Sequence, residues 1–275
     1  MKRLLVELTM MVLVSLVVTA CKPATSTSTA TPLATSAATP TEAVVELAPQ
    51  DAKAYNNRGI TRHDQGDLDA AIQDYDKAIE LDPQDAKAYY NRGLARSDQG
   101  DLEAAIQDYT KAIELDPQFA RAYNNRGIAR YDQGDLEAAI QDYDKAIELD
   151  PQDAKAYYSR GVARFDPGDL DAAIQDYDKV IELDPQFAQA YVERGNARAY
   201  QGDLDAAIQD YDKAIELDPQ DAKAYYNRGV ARSDQGDLDA AIADFRRYLE
   251  LAPDAPNRQQ VLQWIAQLEK QLSTP

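Results

Sequence analysis

The chain has little of what most often does chemistry. Among 275 residues there is one cysteine, Cys21, and one histidine, His63. A single cysteine excludes an internal disulfide and any cysteine-rich metal site. His63 has no second histidine or cysteine to join it, so no metal ligand set and no catalytic residue is expected, and no cofactor. Positive charge is scarce: 29 basic residues stand against 48 acidic ones, for a net charge of −19. A surface of that sign repels phosphate, which argues against a nucleic-acid partner and favours solubility and basic partners. Long apolar runs are missing too. The longest, Leu8 to Ala20, has 13 residues and is too short to span a bilayer comfortably.

What the chain does have is repetition. Prolines recur at 49, 83, 117, 151, 185, 219 and 253, a step of 34 residues. All 12 glycines fall in two phases of that period, one set starting at Gly59 and the other at Gly66. A fixed period of this length signals a stacked array of one supersecondary unit. In the unit running from Ala52 to Asp85, the first half has Ala52, Tyr55, Gly59 and Ile60 at helical spacing. Gly66 marks a turn suited to positive φ, and Asp67 is placed to cap a second helix. Leu68, Ala71, Ile72, Tyr75, Ala78 and Ile79 make the apolar stripe of that helix, which the pair Asp82-Pro83 ends. Each unit is therefore predicted to be helix, turn, helix, burying its stripes only against its neighbours.

The small residues at unit positions 8, 20 and 27 predict close helix approach. Arginine at positions 7 and 11 recurs in all six units, beginning with Arg58 and Arg62, as does aspartate at 23. That predicts salt bridges within each unit. The acids at 16, 18, 25 and 29 are expected to form a solvated outer face. Past the last proline of the series, Val261, Trp264, Ile265, Leu268 and Leu272 form a further stripe. Pro256 to Leu272 is read as a helix that caps the array, with Trp264 in its core.

Tyrosine at 4, glycine at 8, alanine at 20, tyrosine at 24, alanine at 27 and proline at 32 together resemble the tetratricopeptide repeat (TPR) family. The arginines at 7 and 11 depart from its common pattern, and the resulting NRG variant resembles a bacterial subtype. The resemblance implies an all-α solenoid, a right-handed superhelix of six helix-turn-helix repeats with the C-terminal capping helix. The repeats span residues 46–253, as 52–85, 86–119, 120–153, 154–187, 188–221 and 222–253, followed by 254–275. It also implies a concave groove lined by first-helix positions 2, 5, 6, 9, 12 and 13.

Position 6 carries Asn57, Asn91, Asn125 and Asn227, with Ser159 and Glu193 in units four and five. An amide offers both a donor and an acceptor, as a peptide backbone requires. In related repeats such a ladder grips an extended peptide; the alternative is that asparagine is simply fixed in this subtype. Position 2 carries Lys53, Lys87, Arg121 and Lys155, which with the asparagines resembles part of a carboxylate clamp. Position 5 lacks the clamp's basic residue and has Tyr90, Tyr158 and Tyr226 instead, either an aromatic groove surface or packing. Unit five deviates most, through Val192, Glu193, Asn196, Ala199 and Tyr200. A specific site and drift both account for that.

The first 20 residues read as a signal peptide, with Lys2 and Arg3 before the apolar run. The stretch VTAC, Val18 to Cys21, resembles a bacterial lipobox, which implies lipidation of Cys21 after cleavage; an uncleaved anchor is the alternative. Residues 22–45, rich in serine, threonine, alanine and proline, form a tether, with a glycosylated stalk as a second reading. An exported bacterial lipoprotein of the cell envelope is expected, held to the membrane through lipid. Its function is expected to be that of a scaffold binding a protein or peptide segment in the groove, as a monomer. A self-associating structural array is the alternative.

Overall fold

The computed structural model describes residues 51–273. The segments expected to be a signal peptide, the lipidation site Cys21 and a tether to residue 45 lie outside them. Every element described is a helix. Six hairpins follow one another: α1 (Ala52–Asp64) with α2 (Leu68–Leu81), α3 (Ala86–Gln99) with α4 (Leu102–Leu115), and α5 (Ala120–Asp132) with α6 (Leu136–Leu149). Then come α7 (Ala154–Phe165) with α8 (Leu170–Leu183), α9 (Ala188–Tyr200) with α10 (Leu204–Leu217), and α11 (Ala222–Gln235) with α12 (Leu238–Leu251). A thirteenth helix, α13 (Arg258–Leu272), closes the array.

Local chemistry sets these boundaries. Asp67 accepts a hydrogen bond from the Ala70 N–H, and the matching aspartate does so at the start of every second helix. The hairpin glycines have φ between 81° and 89°, a left-handed conformation that a Cβ disfavours. Second helices stop at the leucine two residues before a proline, as in α2 at Leu81, before Asp-Pro in five units and Ala-Pro in the last.

The core forms between units as much as within them. Ala71 and Tyr75 of the first unit pack with Ala95 of the second, and Ala139 and Tyr143 of the third with Ala163 of the fourth. The ring at position 24 is among the largest fully buried side chains in all six units, tyrosine in five and Phe245 in the last. It fills the space that glycine at position 8 leaves open. A Cβ on Gly127 would lie 2.6 Å from Tyr143 Cε1.

A buried ionic network runs beside this core. Arg126 makes a two-pronged contact with Asp142, Nε to Oδ2 at 2.9 Å and Nη2 to Oδ1 at 2.7 Å, and Arg130 Nη1 adds a third bond at 2.8 Å. The salt bridges recur in all six units, from Asp74 to Asp244. Each position-7 guanidinium also lies over the tyrosine three residues before it, 5.3 to 5.6 Å from the ring centroid.

Several expectations need correction. Ile60 falls at apolar helical spacing in α1 but is 38% exposed, in keeping with groove position 9, whereas Asn56 at groove position 5 is buried. The acids at 25 are not merely solvated. Asp76, Asp144, Asp178 and Asp212 each bind the position-7 arginine of the following unit, as in Arg92 Nη1 to Asp76 Oδ1 at 2.6 Å. The acids at 16 are the caps of the second helices, as expected for Asp67, and not part of an outer face. In α13, which begins at Arg258, Val261, Ile265 and Leu268 are buried but Leu272 is exposed. Trp264 stacks on Tyr226, with ring centroids 6.2 Å apart and an interplanar angle of 29°.

Candidate functional site

First helices of successive units touch one another in a continuous row. Positions 2, 6, 9 and 13 are four, three and four residues apart, so they lie along one face of each helix. In the first unit that face is Lys53, Asn57, Ile60 and Asp64, all exposed; in the third it is Arg121, Asn125, Ile128 and Asp132. The row therefore presents a basic edge, an amide line, an apolar line and an acidic edge. Lys87 and Lys155 continue the basic edge and are exposed as well.

The charges on this face oppose the helix dipole. Lysine or arginine sits in the first turn, where the N-terminal end is already positive, and aspartate in the last turn. No first helix has an acid in its first turn, whereas every second helix has one. Each such charge costs about 0.3–1 kcal/mol of helix stability. Neither set follows the dipole rule throughout: the second helices have an acid in the first turn but no basic residue in the last, whereas each first helix has an arginine in its last turn.

The amides are partly engaged with each other. Asn91 Nδ2 donates to Asn56 Oδ1 at 2.9 Å, Asn125 Nδ2 to the Tyr90 hydroxyl at 2.8 Å, and Asn227 Nδ2 to Asn196 Oδ1 at 2.9 Å. Each bond joins one unit to the one before. One N–H of the amide is used, and the carbonyl oxygen and the second N–H remain available. Ser159 is too short to continue the series, and the Asn124 Oδ1 that a longer side chain would reach is buried with no partner.

The tyrosines at position 5 divide. Tyr90 lies against Phe119, with centroids 4.7 Å apart, and Tyr158 meets Phe187 edge-on at 5.1 Å. Both remain partly exposed. Tyr226 is 5% exposed beneath Trp264 and Tyr248, so it packs the end of the array and offers no groove surface. The phenylalanines stand where other first helices have a capping aspartate, and α5 and α9 accordingly lack a side-chain cap bond. Sequence reasoning missed this pairing, although PQF replaces PQD before units three and five.

Along the acidic edge, His63 Nε2 lies 2.7 Å from Asp98 Oδ2, and the Tyr131 hydroxyl donates to Asp166. Phe165 meets Tyr200 at the corresponding joint, with centroids 5.3 Å apart. In unit five, Asn196 is 3% exposed and acts as a hub. Its Oδ1 accepts from the Tyr211 hydroxyl at 2.9 Å as well as from Asn227, and its Nδ2 donates to Glu193 Oε2 at 3.0 Å. Burial pushes the Glu193 carboxyl above its ordinary range; the Asn196 bond and the more distant Lys223 charge only partly oppose that.

Tetratricopeptide repeat models match residues 41–73, 61–100, 90–154, 130–188, 176–209, 195–236 and 222–255, which tile 41–255 without a gap. The chain belongs to the tetratricopeptide repeat family. No curated protein matches it significantly in sequence. Among solved structures, the MamA protein is 31% identical, with a TM-score of 0.56 over 61% of this chain and 92% of its own. YrrB, described as a TPR protein with an unusual peptide-binding site, is 26% identical, with a TM-score of 0.58 over 71% of this chain and 97% of its own. PilF of Pseudomonas aeruginosa, at 22% identity and a TM-score of 0.68 over 76% of this chain and 95% of its own, shares the fold. TPR architecture explains why one face of the first helices repeats at every unit. Each unit presents the same four positions on the same side of the stack.

Proposed function

We propose that this TPR chain is a membrane-anchored scaffold that holds an extended segment of a partner protein along its first-helix face. The observation that carries the reading is the charge placement on that face. A basic residue at position 2 and an aspartate at position 13 recur in five of the six units, one charge at each end of the face. Between those edges, each amide keeps an acceptor and a donor for a peptide backbone, and Ile60 and Ile128 offer exposed apolar contacts. The similarity to YrrB supports the same use of the fold. The anchor rests on the lipobox-like VTAC: lipidation at Cys21 would hold the array to a membrane through the tether. Acyl chains contribute roughly 0.8 kcal/mol per buried methylene, enough for firm attachment when several are present.

A crosslinking capture from the native envelope tests the binding face. Wild type is compared with Asn57→Ala/Asn91→Ala/Asn125→Ala and with Ile60→Lys/Ile128→Lys. The second variant leaves the hydrogen bonds between units intact. A partner captured by wild type should be lost from both variants while their melting profiles stay cooperative. Equal capture by all three proteins would move binding off this face. The anchor has its own test: Cys21→Ser should leave the precursor at full length and abolish metabolic labelling with palmitate. Normal processing of that variant would remove the lipid from the proposal.

A further inference from the structure

The first helix of unit five differs from that of unit six at six positions: Gln189, Val192, Glu193, Asn196, Ala199 and Tyr200. These are positions 2, 5, 6, 9, 12 and 13, and the eight other residues from 188 to 201 match their counterparts from 222 to 235. The second helix of unit five is identical in sequence to that of unit one. Among units one to five the second helices differ at only three unit positions, 18, 25 and 27, so the changes of unit five are concentrated on its first helix, on the binding face or the line beside it.

The changes fit one another chemically. An acid at position 6 would ordinarily find its counterion four residues earlier, where other units have lysine or arginine. Unit five brings in Glu193 and at the same step replaces that cation with Gln189. No lysine or arginine nitrogen of the described residues lies within ion-pair distance of Glu193; Lys223 of the next unit acts on it only at longer range, while Asp166 and Asp221 oppose it. Val192 cannot accept the hydrogen bond that Asn56 and Tyr90 accept in their units, and Asn196 takes over that task. In doing so it also donates to Oε2 of Glu193, and the Tyr211 and Asn227 bonds hold Asn196 itself in place. The carboxylate is thus oriented in advance, mostly buried and without a cation. A buried charge in that condition gains most from a charged partner that brings its own donors.

We propose that unit five is a cation-accepting station on the first-helix face, where Glu193 binds a lysine or arginine side chain of the partner segment and so fixes the register of that segment along the array. The inference rests on the reading of that face as a peptide-binding surface. The Phe165–Tyr200 ring pair, two turns further along the same side, gives a neighbouring side chain an apolar contact.

The test uses immobilised random dodecapeptides screened with the full chain, followed by affinity measurement on the binders. Aligned binders should share one basic position, and changing it to norleucine should weaken binding by about tenfold or more. Glu193→Gln should erase that difference. Gln189→Lys supplies the missing counterion without touching Glu193 or its Asn196 bond, and should reduce the basic preference in the same way. Glu193→Lys should turn the preference at that position to an acid. Binders with no basic position, or a preference that Glu193→Gln leaves unchanged, would overturn the station and leave the peptide-binding face standing. No binder at all would overturn both.

Discussion

Asp142→Ala should lower the stability of the array by about 3 kcal/mol, read as a downward shift of the urea midpoint, while Asp144→Ala should change it by less than about 1 kcal/mol. The two acids are two residues apart, and both bind arginine. They differ in solvent access. Asp142 is 3% exposed and receives three hydrogen bonds from Arg126 and Arg130, whose side chains are themselves mostly covered. Its removal strands two guanidinium groups where water reaches them poorly. Asp144 has half of its side chain in solvent and meets one nitrogen of Arg160 at 2.6 Å, with Arg164 Nη2 further off at 3.8 Å. There the loss of the pair is largely repaid by hydration. Equal effects from the two substitutions would show that the buried network contributes no more than a surface ion pair.

Gly127→Val and Gly134→Ala should both destabilise, for unrelated reasons. A Cβ on Gly127 meets Tyr143 Cε1 at 2.6 Å and Cδ1 at 2.9 Å, closer than real Cβ contacts come. Tyr143 is fully buried and has no room to withdraw, so the overpacking should cost about 1–3 kcal/mol. Gly134 has nothing within 4 Å of its missing Cβ, but its φ is 86°. Its cost, about 1–2 kcal/mol, is backbone strain alone. A second substitution, Tyr143→Leu, separates the two cases. Chemical denaturation should show Gly127→Val partly rescued in the Tyr143→Leu background and Gly134→Ala not rescued at all. Rescue of both, or of neither, would contradict the geometric account.

The sequence was most legible where the cause is local. The positive φ of Gly66, the cap at Asp67 and the stop before Pro83 each depend on a few adjacent residues, and each was readable from them. The pairing of Arg58 and Arg62 with Asp74 was also readable, because the same spacing returned in every unit. The orientation of the first helices was not readable from their periodicity; only the family resemblance supplied the groove positions. The helices' apolar residues are few, and position 9 fits a helical stripe as well as position 5 does. Only the neighbouring units decide that Asn56 turns inward and Ile60 outward. Tyr226 illustrates the same limit: it has the position of Tyr90 and Tyr158, yet Trp264, distant in sequence, covers it. In unit five the deviant residues were visible in the sequence, but the compensation among Gln189, Glu193 and Asn196 needed the hydrogen-bond geometry to become a single feature.

The arginine at position 7 has a further consequence. It clasps the aspartate of its own unit with two nitrogens and, at four of the five joints, reaches the preceding unit with the third. At the joint between units two and three the acid is replaced by Thr110, and Arg126 makes a neutral bond to it at 3.1 Å. Intrinsic and nearest-neighbour stability are therefore carried in part by one side chain, which makes opening cooperative from unit to unit. Because each joint is built from residues at the same two unit positions, an in-phase duplication or deletion of 34 residues would recreate a working joint at its boundary. Copy number in such a gene can change by unequal recombination without passing through a broken protein, and the reach of the array can lengthen or shorten one whole step at a time.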